Sequence, residues 1–260
     1  MVLGGKMKRN IKLTIQYDGT NYYGFQRQAG RNIDTIQGKL ELCLAKVFKE
    51  PIKVRGSGRT DGGVHAEGQV VSFFTTSVIP VEKIALALNH RLPRDIIALK
   101  AEEVDLNFHA QYHAFGKKYV YSFYQGVTPS PFYRLYSYFV PYQLDFEKME
   151  AACTLLKGTH NFKAFSSSGS NVKTFERTIY DIDLIKNGNH WQVSISGNGF
   201  LYNMVRIIVG ALIDIGRGRL DISCIEEALE TTNRNLLGKK APPHGLCLKE
   251  VYYSPINYEE

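Results

Sequence analysis

The chain has 260 residues, 44% of them hydrophobic, enough to bury one large core or two ordinary ones and too many for a disordered chain. A formal charge of +7 and a pI near 9.1 favour a polyanionic partner, nucleic acid ahead of an anionic membrane. Cys43, Cys153, Cys224 and Cys247 are far apart and form no Cys-x-x-Cys pair, which argues against a zinc knuckle or a dithiol centre and for reduced, buried thiols. The basic residues of Met1–Asn10 have no apolar stretch behind them, so no signal peptide and a cytoplasmic location are expected. The most apolar window, Gly199–Ile215, holds Arg206 and Asp214 and is too short to span a bilayer.

In chain order, Asn10–Tyr17 alternates Ile11, Leu13, Ile15 and Tyr17 with Lys12, Thr14 and Gln16, which predicts a half-buried strand ended by Asp18-Gly19. The loop from Thr20 to Asn32 mixes Tyr22, Tyr23 and Phe25 with Arg27 and Arg31, a combination found in single-strand RNA binders and equally in ordinary surface loops. Asp34 with Gln37 resembles a capping box, and Ile36, Leu40, Leu44, Val47 and Phe48 recur at helical spacing as far as Pro51. Ile52–Ser57 and Gly68–Thr75 read as strands on either side of a glycine-rich loop. Pro80 suits the first turn of a second helix with Ile84, Leu88 and Leu92 on one face, and Asp95–Ala101 supplies a closing strand. Strand, helix, strand, strand, helix, strand is the split βαβ, ferredoxin-like order, and it would set the glycine loop between two central antiparallel strands.

After a junction near Asn107–Phe115 the pattern partly recurs. A strand at Lys117–Tyr124 and a proline-containing loop lead to a helix capped by Asp145, with Phe146, Met149, Cys153 and Leu156 inward. Strands at Thr178–Lys186 and His190–Ser196 follow, joined by the hairpin turn Asn187-Gly188-Asn189. The expected organisation is an N-terminal α+β half over residues 1–112 and a C-terminal α+β half over residues 113–260.

Three stretches carry chemistry. Arg55-Gly56-Ser57-Gly58-Arg59-Thr60-Asp61-Gly62-Gly63-Val64-His65-Ala66 puts one carboxylate in a glycine-rich turn flanked by cations, where a bulky ligand can approach the main chain. A solvated hairpin loop would read the same way. The helix beginning near Phe200 is apolar nearly all round and therefore buried, yet it contains Arg206, whose burial without an anion would cost about 3–5 kcal/mol. Either Arg206 snorkels to solvent or it pairs with Asp61 and aims that carboxylate within a dry cleft. Lys117-Lys118-Tyr119-Val120-Tyr121 places a basic pair before two tyrosines on one strand face, sheet aromatics or else a stacking platform for a base, worth about 1–3 kcal/mol.

Together these motifs resemble the TruA-type tRNA pseudouridine synthases nearly end to end. Tyr17-Asp18-Gly19-Thr20, Tyr23-Gly24-Phe25-Gln26-Arg27-Gln28, Gly58 to Ala66, Phe108-His109-Ala110, Lys117–Tyr121, His160-Asn161-Phe162, Arg177-Thr178-Ile179, Asn203-Met204-Val205-Arg206, Ala241-Pro242 and Gly245-Leu246 stand in family order. The resemblance implies that Asp61 is the catalytic aspartate, Arg206 its partner, Tyr119 the ring on the target uracil, Arg59 the residue that displaces the target nucleotide and Leu246 an apolar wall. Arg27, Lys117 and Lys118 are further RNA-contact candidates. It also implies a homodimer without metal or organic cofactor, acting on uridines on the 3′ side of the tRNA anticodon stem-loop. The implied fold is two ferredoxin-like, RRM-like halves around an extended, mainly antiparallel sheet with a basic cleft. Two positions depart from the pattern: Gln111 where an arginine commonly follows Phe-His-Ala, and Phe25 where tryptophan is common.

Other readings fare less well. A non-catalytic RNA-binding module explains the charge and the aromatics but leaves Arg206 without a reason to face a loop carboxylate. A glycosidase needs a second carboxylate in a comparable loop, which is missing. In a dinucleotide fingerprint starting at Gly56-Ser57-Gly58 the third glycine falls on Asp61. His109 and His113 have no third ligand beside them and make a poor metal site; His65 suits a turn-shaping role, and Ser166–Ser170 reads as a short flexible loop.

Overall fold

The computed structural model describes residues 7–28, 33–169 and 172–255. Met1–Lys6, Arg31 and Ser170, on which parts of the sequence reading fall, lie outside the described residues. The chain divides into two compact units, one running to Phe115 and including Leu248–Ser254, the other Gly116–Cys247.

Unit 1 follows the expected order: β1 (Arg9–Tyr17), α1 (Ile36–Phe48), β2 (Arg55–Gly56), β3 (His65–Thr75), α2 (Val81–Asn89) and β4 (Ile96–Val104). The alternation in β1 buries Ile11, Leu13 and Ile15 completely. β1 lies between β4 and β3, antiparallel to both, with Leu13 opposite Ala101 and Val71; β2 pairs with β3, completing the ferredoxin-like neighbour order.

Local chemistry shifts three boundaries. The cap of α1 is Thr35, extended at φ −129° and ψ 153°, whose Oγ1 accepts the Gly38 N–H at 3.2 Å. Asp34 instead pairs with Lys39 at 2.7 Å, and the Gln37 side chain accepts the Arg27 N–H, so no capping box closes. The strand expected over Ile52–Ser57 shrinks to two residues, because Pro51 has no N–H and the Val54 N–H goes to the Glu41 carboxylate at 3.1 Å. The glycine loop therefore joins a two-residue stub to β3 rather than two central strands. Pro80 stands as the residue before α2, whose buried face is Ile84 and Leu88.

Unit 2 holds β5 (Gly116–Gln125), β6 (Tyr138–Val140), α3 (Phe146–Leu156), β7 (Gly158–Asn161), a 3-10 turn at Phe162–Phe165, β8 (Glu176–Asn187), β9 (His190–Gly197), α4 (Met204–Gly216) and α5 (Ser223–Thr231). β5, β9, β8 and β7 are neighbours in that order, all antiparallel, and β6 adds in parallel to β5. Asn187 pairs with His190, which leaves Gly188-Asn189 as a two-residue hairpin turn. Asp145 caps α3 by accepting the Lys148 N–H at 3.1 Å, as expected. Beneath the sheet Trp191 is fully buried, with Phe123 and the half-buried Phe146 against it. Every residue of α4 is buried, Arg206 and Asp214 included. Asp214 is neutralised by Arg217 at 2.8 Å. β10 (Leu246–Tyr252) carries the chain from unit 2 back into unit 1.

The class is α+β with mainly antiparallel strands, as expected. β6, β7, α5 and β10 escape the sequence reading. Gly-Thr-His-Asn in β7 has no alternation, and β6 has only three residues.

Candidate active site

Asp61 sits on the segment joining β2 to β3, and its neighbours pin it from both sides. Thr60 is buried, its Oγ1 2.8 Å from the Tyr17 hydroxyl, and its carbonyl accepts the Phe25 N–H at 3.1 Å. The Asp61 carbonyl accepts the Val64 N–H, and the Gly63 N–H donates to Tyr22 O, each at 3.2 Å. Upstream, Ser57 Oγ donates to Gln69 Oε1 at 2.6 Å, and Gln69 Nε2 donates to Gly58 O at 3.1 Å; both side chains are fully buried. Each such bond contributes about 0.5–1.5 kcal/mol net and would cost more if left unmade in the interior. The loop is therefore a braced platform with a half-buried carboxylate, not a free hairpin tip.

The brace is the segment Asp18–Phe25. Tyr22 and Phe25, 7% and 3% exposed, are packing residues and not the RNA-facing aromatics the composition allowed; Tyr23 and Arg27 do point outward. The Tyr22 hydroxyl donates to Asp95 at 2.7 Å, and burial together with Asp95 raises its pKa above the usual phenol value. Phe25 lies under the loop so closely that a Cβ on Gly56 would come 2.4 Å from its ring. The departure at Phe25 thus bears on how the loop is supported. His65, also buried, receives the Gly19 N–H on Nδ1 at 3.1 Å, with Asp18 Oδ1 3.2 Å away.

Gly24 combines a positive φ of +91° with a close approach, Thr60 O lying 2.6 Å from where a Cβ would sit. Gly24→Ala is expected to destabilise the protein by about 1–3 kcal/mol. It is also expected to lower kcat roughly a hundredfold by displacing the carboxylate, whereas a distant surface Ala substitution does neither. Denaturant melts and turnover on the same preparation check this.

In unit 2, Arg206 on α4 donates from Nε to Ala241 O and from Nη1 to Asn203 Oδ1, both at 2.8 Å. It is 8% exposed, so it does not snorkel. Gly210, one turn further on, lets the Lys239 carbonyl come within 2.1 Å of where its Cβ would be, and this sets the Lys239–Ala241 backbone against the helix. Asn203 adopts φ 62° and donates from Nδ2 to Ser167 Oγ at 2.9 Å. The serine loop, expected to be flexible, is thus anchored at Ser167 to the arginine's own partner. Asn203, Ala241, Ser167, Tyr17 and Gln69 were missed as site-building residues. Gln69, a lone amide in an apolar strand, was the one with a signal to follow.

Tyr119 on β5 is buried and meets Phe200 edge-on at 5.2 Å. Tyr121, fully buried, donates its hydroxyl to Pro242 O at 2.8 Å, and burial holds its pKa well above the usual phenol value. Leu246 is buried at the start of β10. Arg59 is exposed. Lys117 shares a strand face with Tyr119, and burial beside Arg177 pushes its pKa down to about 8. Lys118 takes the opposite face, where its charge reaches Asp183.

Residues 13–113 and 152–254 match the family profile described as tRNA pseudouridine synthase. Those segments span β1 to β4 with the Asp61 loop and nearly all of unit 2 from α3 onward, and so make this an α+β pseudouridine synthase fold. Asp61, Arg59, Arg206 and Leu246 lie inside the matched segments; Tyr119, Lys117 and Lys118 lie between them. The chain belongs to the tRNA pseudouridine synthase family and is of the TruA type. It is 46% identical over 245 residues to tRNA pseudouridine synthase A of Acetivibrio thermocellus, covering 94% of this chain and 100% of the relative. It is 47% identical over 245 residues to tRNA pseudouridine synthase A 2 of Clostridium perfringens, with the same coverage. The protein of the same name from Clostridium tetani is 45% identical over 248 residues, 95% of this chain and 100% of that one.

Proposed function

We propose that this protein isomerises uridine to pseudouridine in tRNA, with Asp61 as the reacting carboxylate and no cofactor. The observation that carries the reading is the near-complete match to proteins named tRNA pseudouridine synthase A, together with a family match whose first segment includes the Asp61 loop.

The reaction breaks the N1–C1′ bond, turns the uracil and joins C5 to C1′; the C5 proton leaves and N1 gains one. No electrons enter or leave. A carboxylate serves by adding to C1′, by adding to C6, or by acting as base towards a glycal-like intermediate, and each route uses Asp61 shielded from water. Arg206 orients Asp61 and keeps its charge in place. Tyr119 stacks on the uracil, Leu246 walls the pocket, and Arg59 helps displace the target nucleotide from its stack, a step that costs a few kcal/mol. Tyr119 or Asp61 takes the C5 proton. Arg27, Lys117 and Lys118 meet the RNA backbone.

The substrate region is the 3′ side of the anticodon stem-loop, the working form is a homodimer in which one tRNA touches both subunits, and the location is the cytoplasm. The family resemblance supports these readings, and the +7 charge supports a polyanionic substrate. Among the described residues no helix is long and apolar enough to cross a membrane.

Tritium release tests the reading. tRNA carrying C5-tritiated uridine is expected to lose label to water when mixed with the protein, and the nucleoside product to be pseudouridine. Tight tRNA binding with no label released would favour a non-catalytic RNA-binding module.

A further inference from the structure

We infer that Lys117 and Arg177 form a binding site for one backbone phosphate of the RNA, on the strand face that carries Tyr119; the inference rests on reading the substrate as tRNA. Successive side chains on β5 point to opposite sides of the sheet, so Lys117 and Tyr119 share a side. Lys117 lies opposite Gly197, and Gly197 lies opposite Ile179, two residues from Arg177. The ammonium and the guanidinium are thereby brought to the same end of the sheet.

Among the described residues the two cations have no counter-charge. Arg177 Nη1 donates to the carbonyls of Thr174 and Glu176, and among the described residues neither it nor Lys117 has a carboxylate partner. The Lys117 side chain has no hydrogen bond there either. Both groups are partly withdrawn from water, and the charge of Arg177 adds to burial in disfavouring the Lys117 ammonium. An arrangement serving only packing would have apolar residues in these places, since like charges held out of water oppose folding. An anion that enters between them relieves both costs at once.

The chain between them is slim, though at Gly197 a Cβ would already stand 2.6 Å from Thr178 O and 3.4 Å from the Phe200 ring, so the approach to the two cations is from the Gly199 side. Gly197-Asn198-Gly199 presents no side chain except that of Asn198, which is committed: its N–H donates to Thr178 O and its Oδ1 accepts the Thr178 N–H, each at 3.0 Å. A Cβ on Gly199 would stand 3.7 Å from Arg177 Nε, so the missing side chain leaves the guanidinium reachable. A guanidinium fork beside a compact ammonium suits the oxygens of a phosphate. Phe200, next in the chain, packs on Tyr119. A phosphate here would belong to the nucleotide on Tyr119 or to its immediate neighbour.

Equilibrium tRNA binding as a function of salt tests the site, with wild type, Lys117→Gln, Arg177→Gln and, for comparison, Lys148→Gln on the exposed side of α3. The first two are expected to raise Kd roughly tenfold and to flatten the slope of log K against log salt by about 0.7–0.9, the worth of one phosphate. Lys148→Gln is expected to move neither. Wild-type Kd and slope in Lys117→Gln and Arg177→Gln, or an equal effect from Lys148→Gln, overturn the inference even if the wild type releases tritium. A flattened slope in a protein that releases none would strike the isomerase reading alone. Lys117→Met guards against a folding artefact: losing a desolvated cation, it should melt at or above the wild type at pH 7, and a lower Tm would overturn the site by showing that the ammonium holds the fold. Carbon-13 signals of the Lys117 side chain should move when tRNA is added. Movement with inorganic phosphate but not with tRNA would assign the site to a free anion and overturn the inference.

Discussion

Asp61→Asn is expected to abolish tritium release from C5-labelled tRNA, by a factor of at least about 10³, while tRNA binding stays within a few-fold of wild type. The amide keeps the size and most of the hydrogen-bonding reach of the carboxylate, and the bonds that Thr60, Gly63, Val64 and the backbone of residue 61 contribute to the loop are untouched by the change. The melting temperature should therefore hold. What disappears is the negative oxygen that can attack carbon or accept a proton. Turnover near the wild-type rate would remove Asp61 from the chemistry, and with it the roles given to Arg206 and Tyr119.

A second large effect is expected at Arg206. Lysine keeps the charge but cannot reach Ala241 O and Asn203 Oδ1 together, because one ammonium replaces a planar fork. Arg206→Lys should cost about 2–4 kcal/mol, since hydrogen bonds to charged groups are worth more than neutral ones and two buried acceptors are left behind. On the reading that this guanidinium also orients Asp61, kcat should fall roughly 10²–10³-fold at a temperature where the variant is fully folded, with a smaller change in KM. Loss of stability with unchanged kcat would make Arg206 a structural residue of α4 only.

The residues that carry these predictions were legible for different reasons. Asp61 stood out because four glycines around one carboxylate suit a loop that must meet a ligand. Arg206 stood out because thirteen buried positions in α4 leave no solvent for a guanidinium. The Thr35 cap lay one residue beyond the capping-box signal, and the choice was made by where Lys39 and Arg27 sit in space. Tyr22 and Phe25 read as surface aromatics because composition does not distinguish a ring that stacks on a base from one that packs under a loop. Contact with Gly56 and Asp95 decides that.

From the order of residues alone came the βαββαβ pattern of unit 1, its partial recurrence in unit 2, the buried helix with its arginine, and the family. All of these rest on local periodicity or on motifs of adjacent residues. Only the tertiary structure revealed that Tyr17, Tyr22, Gly24 and Gln69 hold the Asp61 loop, that Asn203, Ala241 and Ser167 hold Arg206, and that Lys117 and Arg177 come together with no carboxylate partner among the described residues. Those arrangements join residues up to 60 positions apart in β5 and β8. Hydrogen bonds and Coulomb forces act over a few ångströms, and which distant residues come that close is set by how the strands pair, not by any stretch of chain read by itself.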